Sequence, residues 1–182
     1  MAFVTSRLLE ILQVGEIIAG VLDLPTKSLP EPGQYLPAQH LEDGGAILTQ
    51  PLFKTIRSEN HHYLGPIPAH WQPGDRIACL SAQGNGFQLP PSARRVGLLA
   101  LDGPPIRTLP LVARALGQNA AVAWFCRENL QPSLLDWIPS SVEVAPLSDL
   151  QENLNWPDYL AVEIARTHLD RLTAFLGEES PG

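Results

Sequence analysis

The sequence has 182 residues, 45% of them hydrophobic, and its 12 Lys and Arg against 19 Asp and Glu give a net charge of −7 and a pI near 5.1. That length can bury a substantial core as one domain or two small ones. The acidic balance argues against nucleic acid or anionic membrane as the main partner, since phosphate binding needs clustered Lys and Arg and the longest basic cluster is Arg94-Arg95.

No apolar run approaches the length of a membrane span, and Arg7, Glu10 and Glu16 interrupt the N-terminal apolar stretch, unlike a signal-peptide core. A cytoplasmic protein without membrane insertion is expected. Residues 8–13 and 16–24 read as two antiparallel strands separated at Gly15, and Pro25, Pro30 and Pro32 close the region. Residues 34–38 form a third strand, 41–45 a polar loop, and 46–56 one or two further strands around Pro51. Residues 57–71, rich in turn formers, lead to the corner Pro73-Gly74-Asp75, where proline fixes φ and glycine tolerates the positive φ that follows. A short strand over 76–80 completes a set of strands punctuated by Gly and Pro, the pattern of a small antiparallel β-barrel.

Gly84-Asn85-Gly86 then permits backbone conformations closed to other residues, and Pro90-Pro91 stiffens a connector anchored by Phe87. Residues 96–101 are continuously apolar, as a parallel strand buried on both faces must be, and Asp102-Gly103-Pro104-Pro105 ends them. Thr108 suits an N-cap, Pro110 a first turn, and Leu109, Val112, Ala113 and Leu116 recur at helical spacing. Buried strands follow at 120–125 and 159–164 with a further strand at 142–145, a helical turn at 133–137 and a helix over 167–176 stopped by Gly177. Strands alternating with helices imply a parallel sheet. The expected architecture is a β-barrel over residues 1–92 followed by a truncated parallel α/β domain over 93–182.

Four segments carry a family likeness: PGQYLPA at 32–38, PGDRI at 73–77, AQGNGFQLP at 82–90 and LPLVARAL at 109–116. They resemble the ferredoxin reductase-like flavoproteins, most of all the electron-transfer subunit of dihydroorotate dehydrogenase, in which a similar Gly-x-Gly-Phe turn precedes the pyridine-nucleotide domain. The resemblance implies an FAD-binding barrel and an NAD-binding sheet. It also implies an arginine-x-aromatic-serine segment gripping the flavin, and here the matching positions are Gln50-Pro51-Leu52-Phe53, with Lys54 or Arg57 as substitute cations. A point charge matches a phosphate less well than a bidentate guanidinium. The flavin candidates are therefore Pro51, Leu52, Phe53, Lys54 and Arg57, together with Gly84, Asn85, Gly86 and Phe87.

The NAD loop fares worse, because pyrophosphate needs several glycines and free amides, whereas residues 101–110 offer Gly103 alone, with Pro104, Pro105 and the repelling Asp102. The family's later Cys-Gly-Pro is replaced by Glu163-Ile164-Ala165. Two distant cysteines, Cys79 and Cys126, cannot supply the four ligands of the subunit's iron–sulfur cluster, so none is expected and both thiols read as free and buried. His61 and His62, adjacent in sequence, point to opposite faces of any strand and do not make a metal site.

Two functions lead, ahead of a third, a small-molecule sensor using the expected inter-domain groove. One is a degenerate ferredoxin reductase-like protein, NAD site lost, serving as an accessory or regulatory subunit beside a protein partner in a redox complex. The other is an FAD-binding electron-transfer subunit of the dihydroorotate dehydrogenase type.

Overall fold

A computed structural model of the chain describes residues 3–14, 17–42, 49–57, 62–101, 107–126 and 132–177. The expected turn Asp102-Gly103-Pro104-Pro105, His61 and residues 178–182 lie outside these residues. Two compact units emerge, the first running to Gln88 and the second beginning at Leu89, except that Leu109–Leu111 groups with the first.

The first unit is a closed antiparallel barrel of β1 (Val4–Val14), β2 (Ile17–Leu22), β3 (Tyr35–His40), β4 (Gln50–Arg57), β5 (His62–Gly65) and β6 (Arg76–Cys79), in the order β1-β2-β5-β4-β3-β6. Its interior is filled by Leu8, Leu22, Leu36, Leu52, Leu64, Ile67, Trp71 and Ile77. Leu36 pairs with Leu52, and both point inward. One residue further along, Pro37 faces Pro51. Two residues without an N–H can face each other only at a non-hydrogen-bonded pair, so this ladder loses no bond and β4 runs unbroken through its proline. Strand β5, which falls where only turn formers were expected, is pinned by Thr55, whose hydroxyl donates to the Tyr63 carbonyl at 3.0 Å. At the far end of β3, His40 contacts Asp75 through Nε2 at 3.1 Å and accepts the Glu42 N–H on Nδ1 at 3.1 Å, so both ring nitrogens are engaged.

The second unit is a parallel sheet ordered β10-β7-β8-β9, from β7 (Arg95–Ala100), β8 (Ala121–Cys126), β9 (Val142–Pro146) and β10 (Tyr159–Glu163). Its helices are α1 (Leu109–Gly117), α2 (Pro132–Leu135), α3 (Leu147–Glu152) and α4 (Leu169–Gly177), the last entered through a 3-10 turn at Arg166–His168. Strands β7 and β8 are buried at every position after the first, as continuous apolar runs require. Leu111, Val112 and Ala115 are the buried face of α1, so the stripe is rotated from the one expected on Leu109, Val112, Ala113 and Leu116. Helix α3 was not legible; Pro146 ends β9 and serves as its N-cap.

At the amino end of the sheet, Asp158 ties β10 to β7. Its carboxylate accepts the backbone N–H groups of Arg94 and Arg95 at 3.0 Å each and the Arg95 guanidinium at 2.7 Å. Those bonds hold the Asp158 carboxyl below the usual carboxylate range. No helix among the described residues is long and apolar enough to cross a membrane.

Candidate functional site

Two places in the fold could carry chemistry, one in each unit.

In the barrel, the Gly84-to-Phe87 turn folds back on the corner that precedes β3. Tyr35 and Gln83 exchange backbone hydrogen bonds, Tyr35 N–H to Gln83 O at 3.0 Å and Gln83 N–H to Tyr35 O at 2.8 Å, and the Tyr35 hydroxyl donates to Gln83 Oε1 at 3.2 Å. Gln34 Nε2 donates to the Gly84 carbonyl at 3.1 Å, and Phe87 N–H to the Pro32 carbonyl at 2.8 Å. Glycine is needed at three points of this clasp. Gly33 and Gly84 take φ of +86° and +90°, where a Cβ is strained. A Cβ on Gly33 would stand 2.6 Å from the Phe87 ring, and one on Gly86 would stand 3.1 Å from the Pro32 carbonyl. Phe87 is thus the lid of its own corner.

On the next strand Phe53 pairs in register with Tyr35, and their rings lie 6.0 Å apart with planes tilted by 52°. The structure therefore brings Phe53 and Gly84 to Tyr35, a residue the sequence analysis placed in a strand without assigning it a role, and seats Gly86 and Phe87 on the corner from Pro32 to Gln34 that precedes it. It does not bring in the rest. Leu52 is fully buried in the barrel interior, and Lys54 pairs with the core residue Leu64 on that same inward face. Arg57 pairs with His62, Pro51 is opposite Pro37, and Asn85 is exposed. Strand alternation, which sends Leu52 in and Phe53 out, is the signal that separates these.

For a flavin ring, the half-buried Tyr35 beside the glycine turn is the accessible aromatic surface, with the buried Phe53 tilted against its back. For its pyrophosphate the match is poorer: Gln50, at the position of the family's arginine, donates its amide to the Pro66 carbonyl at 3.0 Å.

In the sheet, β7 leads through α1 to β8 on one side, while β10 returns to the other side of β7, so strand order reverses between β7 and β10. In open α/β sheets ligands bind outside the carboxyl ends at such a point, and phosphates sit on the amides that open the adjacent helix. Here Glu163 is the last residue of β10, paired with Ala100 at the end of β7, and its carbonyl accepts the Leu101 N–H at 3.0 Å. Its carboxylate accepts the Arg107 N–H at 2.9 Å and also the Thr108 N–H, with the Arg107 guanidinium 3.7 Å away. Thr108 precedes α1 but makes no side-chain cap, so the acid 55 residues later in the chain does the capping. Burial pushes the Glu163 carboxyl up, and the two amides and the Arg107 charge oppose that shift. A dinucleotide pyrophosphate would have to displace a carboxylate already seated on the same amides.

Neither thiol offers chemistry. Cys79 and Cys126 are free and buried, and burial pushes the Cys79 thiol up to about 12. Among the described residues no group of three potential metal ligands occurs.

No family model and no curated protein matches the sequence. Solved structures do. A ferredoxin NADP+ reductase from Neisseria gonorrhoeae, with bound FAD and NADP, superposes with a TM-score of 0.69 at 14% identity over 99% of this chain and 92% of that one. The barrel and sheet are ferredoxin reductase-like in fold. The ferredoxin reductase of carbazole 1,9a-dioxygenase superposes with a TM-score of 0.69 at 14% identity, covering 99% of this chain and 67% of its own. Phthalate dioxygenase reductase, described as modular for electron transfer from pyridine nucleotides to [2Fe-2S], gives 0.63 at 15% identity over 100% and 66%. The chain thus spans about two thirds of these dioxygenase reductases.

Proposed function

We propose that the chain is a ferredoxin reductase-like component of an oxidoreductase assembly that does not turn over pyridine nucleotide itself. The observation that carries this reading is Glu163. A fixed negative charge on the amides that open α1 repels the phosphates a nicotinamide dinucleotide would place there, and removing it from them leaves two N–H donors to be satisfied again. The neighbouring Asp102 adds a second acid to the same loop in sequence. Such a chain acts beside a protein partner rather than as a complete reductase.

The test is titration of the purified chain with NADP+ and NAD+, followed by calorimetry, and an assay of NADPH-dependent ferricyanide reduction with added FAD. The expected result is no saturable binding below about 1 mM, the upper end of ordinary enzyme affinities, and no turnover. Binding in the micromolar range would overturn the reading.

A second reading, a flavin-binding electron-transfer subunit of the dihydroorotate dehydrogenase type, is favoured by the barrel corner. There Tyr35, backed by the buried Phe53, would bear the ring and the backbone at Gly84 would let it approach. A flavin, when bound, supplies the electron acceptor; these residues would orient it and keep water from one face. Yellow protein that releases flavin stoichiometrically on denaturation supports this second reading, and colourless protein that fails to take up added FAD removes it.

A further inference from the structure

The negative charge of the chain is not spread evenly. From Glu128 to Ala165 there are seven Asp and Glu and no Lys or Arg, while the remainder carries twelve acids and twelve bases, so this span holds the whole net charge. Two of the seven are already engaged, Asp158 by Arg95 and Glu163 by Arg107. Asp136, Glu143 and Asp149 are exposed, and no ion pair holds them among the described residues.

Glu143 lies in β9 and Asp136 and Asp149 flank it; among the described residues this strand ends the sheet and pairs only with β8. Large apolar side chains are exposed in the same place: Leu135 at 40%, Trp137 at 37% and Val144 at 39%. Successive turns hold them in position, with Trp137 N–H donating to Leu134 O at 3.2 Å, Ile138 N–H to Leu135 O at 3.0 Å and Val142 N–H to Pro139 O at 2.9 Å. An exposed tryptophan with apolar neighbours and a charged rim has the composition of a protein interface centre.

We infer that the β9 edge, from Leu135 to Asp149, is a docking surface for a basic protein partner that brings an apolar contact to Trp137. The charge selects this occupant. A second copy of the chain would set acid against acid, and nucleic acid or an anionic membrane would be repelled. The inference takes from the proposed function only that the chain works in an assembly. Its test needs no cofactor or turnover, so it can fail while the NAD reading stands, and the reverse.

The test uses the full chain, labelled with 15N, and cytochrome c as a lysine-rich probe. Amide shifts on titration are expected to be confined to the span from Leu134 to Glu152. Binding should weaken about tenfold between low and physiological salt, as screening of a charged interface demands. Trp137→Ser, which leaves the charge unchanged, should weaken it by about fivefold or more. Asp136→Lys with Glu143→Lys should abolish it. Unperturbed shifts elsewhere in each variant's spectrum report that the fold is intact. Shifts scattered over acidic residues of the barrel, or binding indifferent to Trp137→Ser, would overturn the inference. Shifts at this edge that depend on chain concentration alone would overturn it in favour of self-association.

Discussion

The corner of the barrel and the carboxyl end of the sheet are the two candidate sites of this chain, and they are built in opposite ways. The barrel corner is built from backbone. Three glycines let one turn lie on another, and the half-buried Tyr35 ring, backed by Phe53, lies beside Gly84. At the sheet the loop before α1 has Gly103 alone in its sequence, and the amides that open the helix are bound by the chain's own Glu163. A surface made by shape is held by packing alone, whereas amides at a helix start need an acceptor, and here a carboxylate of the chain itself supplies it.

The sharpest way to break the comparison is at Gly33. Replacing it with Ala adds a Cβ at positive φ and 2.6 Å from the Phe87 ring, and should cost about 2–3 kcal/mol in urea unfolding. If the clash is the larger part, Phe87→Ala in the same chain recovers much of that loss. Full additivity of the two changes would mean that the corner is not packed as described.

Glu163 comes next. Glu163→Ala strands the Arg107 and Thr108 amides and should cost about 1–3 kcal/mol, whereas Glu163→Gln keeps an acceptor and should cost less. The two variants also differ from wild type in pH dependence. Because the folded carboxyl is raised above its ordinary 4.5, the folded state holds the proton more tightly than the unfolded one. Wild-type stability should therefore fall as pH rises from 4.5 through the raised value, and Glu163→Gln should remove that fall. Denaturant midpoints across that range test it, and an unchanged profile would show that the carboxylate is not held where the structure has it.

Tyr35→Phe should cost about 0.5–1 kcal/mol, the loss of one hydroxyl bond to Gln83. The smallest effect is expected at Asp158. Its lowered pKa contributes stability that is present above 3.8 and lost as pH falls through the folded value, so Asp158→Asn should lower stability slightly at neutral pH, leave it unchanged at the acid end and thereby flatten the acid limb of the stability curve.

The barrel and the sheet were legible in the sequence because their strands carry unambiguous patterns: apolar runs where both faces are covered, and short segments between Gly and Pro where one is. What escaped has physical reasons. Strand β5 is four residues, opens on His62 and ends on Gly65, and only its partners in β4 and β2 make it a strand. Helix α3 is six residues and mostly polar. The aligned motif at Gln50 to Phe53 gave residue types but not directions, so Leu52 entered the candidate list although alternation with Leu36 buries it. Tyr35 was visible as a strand residue, yet its role depends on Gln83, which lies 48 positions away. Glu163 stood out as an acid ending an apolar strand; that its partners are the amides before α1 could not be read from spacing.

Both native thiols are interior, Cys79 in the barrel and Cys126 in the sheet. Maleimide dyes react with exposed thiolates, so the unaltered chain should label slowly. A single exposed site such as Ser140→Cys could then carry a fluorophore or spin label without first removing either cysteine, which makes the molecule ready for distance measurements in whatever complex it enters.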